Sequence, residues 1–221
     1  MVDMSNMIQI IELGGMNLEK FENLQEDKQA AIINAGLVTF GTNGYKKASI
    51  SDIATAAGIA KSMIFHYFGT KKTLYLYLAQ YSAEILIGEI NEKREHCGSD
   101  FFDRITFMTE IEVDVMKRYP GILAFLKSLF LEKDPEVIED IKSLMAMGEA
   151  FRAGLTLDGI EAHKFKDGVD PMLVLKMLAW FGEGYISQLG MSGMLNVDAL
   201  NQEFHQILAM LKQNLYKEAY L

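Results

Sequence analysis

The chain has one cysteine, Cys97, and only three prolines, at 120, 135 and 171, in 221 residues. A lone thiol closes no internal disulfide, so the fold has no covalent staple and suits a reducing compartment; Cys97 reads as a spectator. With so few prolines, long helical patterns run uninterrupted, and each proline falls near an expected element boundary. No apolar run reaches the roughly 18 residues of a membrane span. The amino terminus lacks the charged, apolar and small-residue succession of a secretory signal, so the cytoplasm is the expected location. Gly-rich phosphate loops, GxSxG and HExxH are all missing. The histidines at 66, 96, 163 and 205 stand apart. Even His96 and Cys97, adjacent in sequence, would project about 100° apart on a helix. No catalytic residues, metal ligands or cofactor are therefore expected, and the chain reads as a non-enzyme.

What is present is apolar and helical. Half of the residues are hydrophobic, enough for one or two domains with a large core. Apolar residues recur at helical spacing, which predicts helices over 24–42, 50–57, 61–67, 71–95, 101–118, 121–132, 135–156, 171–190 and 197–217. The expected class is all-α with about nine helices. No internal repeat or linker is visible, so the 71–95 helix should join an amino-terminal domain, 24–70, directly to a larger one, 71–221. Residues 1–23 remain unassigned. They would dock on the body or a partner subunit, extend a binding surface, or form a leader without defined structure.

The densest information lies in 49–74, SISDIATAAGIAKSMIFHYFGTKKTL. Ser49 or Ser51 can N-cap a helix bearing Ile53, Ala54 and Ala57, and Gly58 stands where a left-handed C-terminal residue is needed. A second helix can start near Ala60 and run through Tyr67, packing Met63, Ile64 and Phe68 and turning its other side chains outward. Two short helices about a Gly-containing turn form a helix-turn-helix, whose second helix enters the DNA major groove. Ile33, Leu37 and Phe40 on the preceding helix give the pair a surface to pack on.

Charge follows the same division. The net charge is −9, yet residues 24–72 carry six lysines against three acids. Positive charge gathered on the reading module, with an acidic remainder that a duplex repels, orients the approach to DNA.

With Ala35, Phe40, Gly44, Tyr45, Asp52, Ile53, Ala54, Ala57, Gly58, Lys61, Tyr67, Phe68, Lys71 and Leu74 at fixed, ungapped spacing, residues 32–74 resemble the amino-terminal domain of the TetR family of transcriptional regulators. The resemblance implies that Lys61, Ser62, Phe65 and His66 face bases or sugars, and that Ser49, Ser51, Tyr67 and Lys71 touch phosphates. Two positions depart from the family pattern: Ala60 replaces a usual Ser or Thr, and Phe65 replaces a usual Tyr. Phe65 has no hydroxyl to offer a phosphate, but its ring suits sugar or a thymine methyl, and His66 can donate to phosphate instead.

The last two helices carry more apolar surface than one buried stripe requires. Trp180, Phe181, Ile186 and Leu189 on the first, with Phe204, Leu208 and Leu211 on the second, are the expected dimer contacts. The resemblance implies the same homodimer, built as a four-helix bundle. Its two reading heads would fit a palindromic operator about 34–36 Å, or a multiple, apart.

By the same resemblance, the middle helices enclose a small-molecule pocket. Phe107, Met108, Ile111 and Glu112, with Phe125, Leu129, Met145 and Phe151, are its candidate lining. Glu112 is a carboxylate on an apolar stripe, a placement that demands a partner. A cationic ligand, Arg152 or solvent at the stripe edge could each serve.

The expected protein is thus a homodimeric repressor released from double-stranded DNA by a small apolar or amphipathic effector, with no membrane partner. Two other readings stay open: a similar DNA-binding protein without an effector, and a helical carrier of apolar molecules.

Overall fold

The computed structural model describes the backbone of residues 18–192 and 196–221, and the side chains of 18–184 and 196–221. Ten α-helices and no strand occur among them: α1 Leu18–Glu22, α2 Glu26–Lys47, α3 Ile50–Ala56, α4 Lys61–Phe68, α5 Lys71–Glu92, α6 Phe101–Arg118, α7 Pro120–Phe130, α8 Ile138–Leu157, α9 Pro171–Ser192 and α10 Val197–Leu215. None of the described helices is long and apolar enough to cross a membrane. Nine of the ten overlie the expected segments. The tenth, α1, falls in the stretch left unassigned, and the rest of that stretch, 1–17, lies outside the described residues.

The chain divides into two compact units, residues 1–84 with 119–147, and residues 85–118 with 148–221. The divisions fall within α5, between α6 and α7, and within α8.

In the first unit, α1 is too short to hold itself together and docks through Phe21, whose ring is fully buried. That ring lies 4.9 Å from Phe68, 5.5 Å from Tyr77 and 5.9 Å from Tyr67, in tilted and edge-on arrangements that aromatic quadrupoles favour. Helix α2 buries Ile33, Leu37 and Phe40 on the stripe that the sequence indicates. It was expected to stop at 42. Instead the backbone breaks at Gly44, at φ 69° and ψ 176°, and one more turn follows to Lys47. A residue with a Cβ rarely adopts that φ.

Helices α2 and α7 approach unusually closely. A Cβ on Gly41 would lie 2.8 Å from the carbonyl carbon of Ala124 and 2.9 Å from the amide nitrogen of Phe125. Above this approach Phe40, Tyr75 and Phe125 form an aromatic core, with Tyr75 4.9 Å from Phe40 and 5.2 Å from Phe125.

The second unit centres on α6 and α10. Phe101, Phe102, Ile105, Met108 and Val115 of α6 pack with Leu175, Leu178, Leu208 and Tyr216 in one cluster. Arg104 closes one side of this unit, its guanidinium donating to the carbonyls of Leu155 at 3.1 Å and Asp158 at 2.7 Å, groups that the end of α8 leaves without helical partners.

Asp100 caps α6: its Oδ1 accepts from the amides of Phe102 at 3.0 Å and Asp103 at 3.2 Å. Lys164 donates to its Oδ2 at 3.0 Å and Lys212 to its Oδ1 at 3.3 Å. Burial alone would raise this carboxyl's pKa, but the hydrogen bonds from Lys164 and the Asp103 amide, with the charge of Lys212, hold it below its ordinary 3.8.

Two consequences can be measured. Gly41→Ala should destabilise the protein by about 1–3 kcal/mol, because backbone must move to admit the methyl group; a urea midpoint equal to that of the wild type would show that the helices are not held this close. For Asp100, the lowered folded-state pKa means its contribution is complete above 3.8 and is lost as pH falls through the folded value. Asp100→Asn should therefore lower stability at neutral pH and flatten the acid limb of a denaturation midpoint against pH curve. An acid limb as steep as before would contradict the assignment.

Candidate nucleic-acid interface

Helix α3 begins at Ser49, whose Oγ accepts the amide of Ser51 at 3.1 Å, so Ser49 is the cap. The helix ends in a turn through Gly58 at φ 68°, where the amide of Ile59 reaches the carbonyl of Ala54 at 3.0 Å. This six-to-one closure satisfies a carbonyl the helix end would leave open. Helix α4 starts after Ala60, which supplies no side-chain cap, and ends at Gly69, at φ 71°. Gly58 makes the turn between the two short helices, and Gly69 the turn from α4 into α5.

Along α4 the residues sort by face. Ile64, Tyr67 and Phe68 are buried, while Lys61, Ser62, Phe65 and His66 are exposed. Phe65 stands 41% exposed, an aromatic ring held in water beside a lysine, a hydroxyl and an imidazole. Ring and donors on one exposed helix face can meet thymine methyls, base edges and phosphates.

The residues expected at phosphates are placed differently from one another. Ser51 is exposed and Ser49 half-buried. Tyr67 is only 7% exposed, packed edge-on to Phe21 and Phe68. Lys71, in the first turn of α5, lies with Nζ 3.2 Å from the carbonyl oxygen of Lys46 and 4.7 Å from the centroid of the Tyr45 ring. The Thr70 hydroxyl caps this helix by accepting the Thr73 amide at 3.0 Å.

Around the Gly44 break stand groups that the sequence reading counted but gave no place at the site. Lys46 and Lys47 are exposed, and their position directly after Gly44-Tyr45 was a usable signal. Tyr45 is buried, and its hydroxyl pKa is raised by that burial first, then by a hydrogen bond to Glu136. Its amide donates to Glu132 Oε2 at 2.8 Å. Nothing in the sequence announces a partner 87 positions away.

The candidate effector residues divide between the units. Phe125, Leu129 and Met145 belong to the first, where Phe125 and Leu129 are buried. Phe107, Met108, Ile111, Glu112 and Phe151 belong to the second, with Met108 and Ile111 buried. Of the three partners open to Glu112, the structure supplies Arg152, whose Nη2 donates to Glu112 Oε1.

Of the candidate dimer residues, Trp180 is 64% and Phe181 37% exposed on α9. Leu208 is buried in its own unit's core, with Phe204 and Leu211 packed against that core. Ile186 and Leu189 have side chains outside the described residues. Leu173 and Met177, exposed on α9, and Met210, exposed on α10, were not anticipated.

A capped helix, a glycine turn and a second helix with one face buried and the other open define a helix-turn-helix DNA-binding protein. Residues 32–78 match the family model of bacterial regulatory proteins, tetR family. Over those residues the chain is similar to the DNA-binding domain of the TetR family of transcriptional regulators. It is 28% identical over 155 residues to the HTH-type transcriptional regulator RutR of Escherichia coli O157:H7, covering 68% of this chain and 70% of that one. Its fold is similar to a TetR family transcriptional regulator from Chloroflexus aurantiacus J-10-FL (TM-score 0.69, 22% identity), over 92% of this chain and all of the other. It is also similar to the transcriptional regulator FadR from Bacillus subtilis, solved in complex with stearoyl-CoA (TM-score 0.66, 18% identity), over 81% and 96% of the two chains.

The burial pattern separates two neighbours on α4. Tyr67→Ala should cost about 3 kcal/mol by emptying a packed aromatic site. His66→Ala should leave helicity and the thermal midpoint unchanged. Circular dichroism melts of the two variants decide, and an unfolded His66→Ala protein would make His66 a packing residue.

Proposed function

We propose that this DNA-binding regulator is a cytoplasmic homodimeric repressor, released from a palindromic operator by a small apolar or amphipathic effector. The observation that carries the DNA half of this reading is the open face of α4, Lys61, Ser62, Phe65 and His66, backed by buried Ile64, Tyr67 and Phe68. Bases and sugars would meet that face. Phosphates would meet Ser49, Ser51 and Lys71, with Tyr67 contributing through its hydroxyl edge and Lys46 and Lys47 widening the basic rim.

In functional terms residues 24–70 form the reading head, and 71–221 bind effector and partner subunit. The homodimer is supported by Leu173, Met177, Trp180 and Phe181, which recur at helical spacing and stand exposed on α9, with Met210 exposed on α10. A water-exposed apolar row of this kind is the usual mark of a helix-pairing surface. Two-fold pairing brings two reading heads to one duplex and makes the operator palindromic.

The effector class is supported by the stearoyl-CoA bound to the Bacillus subtilis FadR that this fold resembles, an amphipathic acyl thioester. An effector releases the operator to the extent that it binds the DNA-incompetent arrangement more tightly.

The test is selection of duplexes from a random DNA pool by the purified protein at near-physiological salt. An enriched palindrome is expected, and acyl thioesters added to the selected complex should release it. With that duplex, Lys71→Ala should weaken binding and reduce the slope of log affinity against log salt by about one unit. Recovery of no motif by a folded dimer would transfer the reading to a carrier of apolar molecules. A motif that no effector releases would leave a DNA-binding protein without a small-molecule ligand.

A further inference from the structure

The chain continues from the end of α7 through Leu131 to Glu132, whose carboxylate serves two segments at once. Its Oε1 accepts the amides of Lys133 and Asp134, each at 2.9 Å, which fixes the carboxylate to its own loop. Its Oε2 accepts the amide of Tyr45 at 2.8 Å. The break at Gly44 turns this amide away from the carbonyl that an unbroken helix would offer it. A carboxylate is the strongest acceptor a side chain can place there.

The turn so held bears directly on a phosphate-binding lysine. Lys71 Nζ donates to the carbonyl of Lys46, the residue after Tyr45, and lies over the Tyr45 ring. Both supports of Lys71 therefore belong to the turn that Glu132 fixes. Nearby Asp134 and Glu136 are acidic, and all three groups face Tyr45. Glu132 differs in being engaged by three backbone amides, so its charge is directed into the fold.

We propose that Glu132 is a positioning residue for DNA binding: by holding the Tyr45 amide it fixes the last turn of α2, and through that turn the place where the Lys71 ammonium meets phosphate. This rests on the DNA-binding reading of the same face. It predicts that Glu132 and Lys71 act as one unit at the DNA, coupled through the turn that both engage. A residue that merely stabilised the fold would not show that dependence.

The test compares the full-length wild-type protein with Glu132→Gln, Lys71→Ala and the double variant, on the duplex that the wild type enriches. Glu132→Gln keeps the side-chain length and removes the charge and one acceptor. It should bind about tenfold more weakly, the scale of one lost charged hydrogen bond, with a salt slope shallower by about one unit. The double variant should lose little beyond Lys71→Ala alone, because the two substitutions remove the same contact. Losses that simply multiply would overturn the proposal. So would a lowered thermal midpoint with wild-type affinity and salt slope, which would make Glu132 structural only. Should Glu132→Gln fail to fold, Glu132→Asp retains the charge, shortens the reach by one methylene, and enters the same comparison. If the wild type enriches no duplex, the DNA-binding reading falls and this proposal with it. If the wild type enriches one that Glu132→Gln binds identically, only the role of Glu132 falls.

Discussion

A single backbone amide, that of Tyr45, sets the terms for the amino-terminal unit. Helix α2 buries its Phe40 stripe and, in its last turn, carries the exposed Lys46 and Lys47. The break at Gly44 redirects the last turn, and the break strands an amide that burial makes costly to leave unpaired. Glu132 resolves the cost from another segment of the chain. The close approach at Gly41 and Ala124 holds α2 and α7 together, so the carboxylate arrives at that amide and the aromatic core closes over Tyr75.

Local chemistry was legible in the sequence, and distant chemistry was not. Ser49, Gly58 and the alternation of apolar and polar residues along Lys61–Phe68 act within a few residues of themselves, so caps, turns and faces could be read directly. The end of α2 was misplaced because Gly44-Tyr45 looks like a stop. What prolongs the helix beyond it is a side chain far along the chain, which no local pattern records. Helix α1 escaped for a related reason: Leu18, Glu19, Lys20 and Glu22 favour helix, but so short a segment shows no helical period, and Phe21 gains its place from rings on α4 and α5.

Burial corrected emphasis where spacing alone was ambiguous. Tyr67 and His66 are neighbours with similar polar tips, yet one is packed and the other open, because adjacent helical positions differ by about 100°. The carboxyl-terminal helices behave likewise. Leu208 and Trp180 both looked surplus to a protomer core, but Leu208 is inside it and Trp180 outside. Apolar character told which helices matter. The side on which each residue falls required the packed unit.

The reading domain is punctuated by glycines at 44, 58 and 69, each at a backbone angle that other residues rarely tolerate. They confine the structural obligations of this segment to turns and to the inner side of α4. The outer side, Lys61, Ser62, Phe65 and His66, carries almost none of them. On the proposed reading of that face, a lineage can therefore exchange those four side chains, and with them the DNA sequence it prefers, without first finding a new way to fold. Regulatory targets are free to diverge while the scaffold that presents the reader stays as it is.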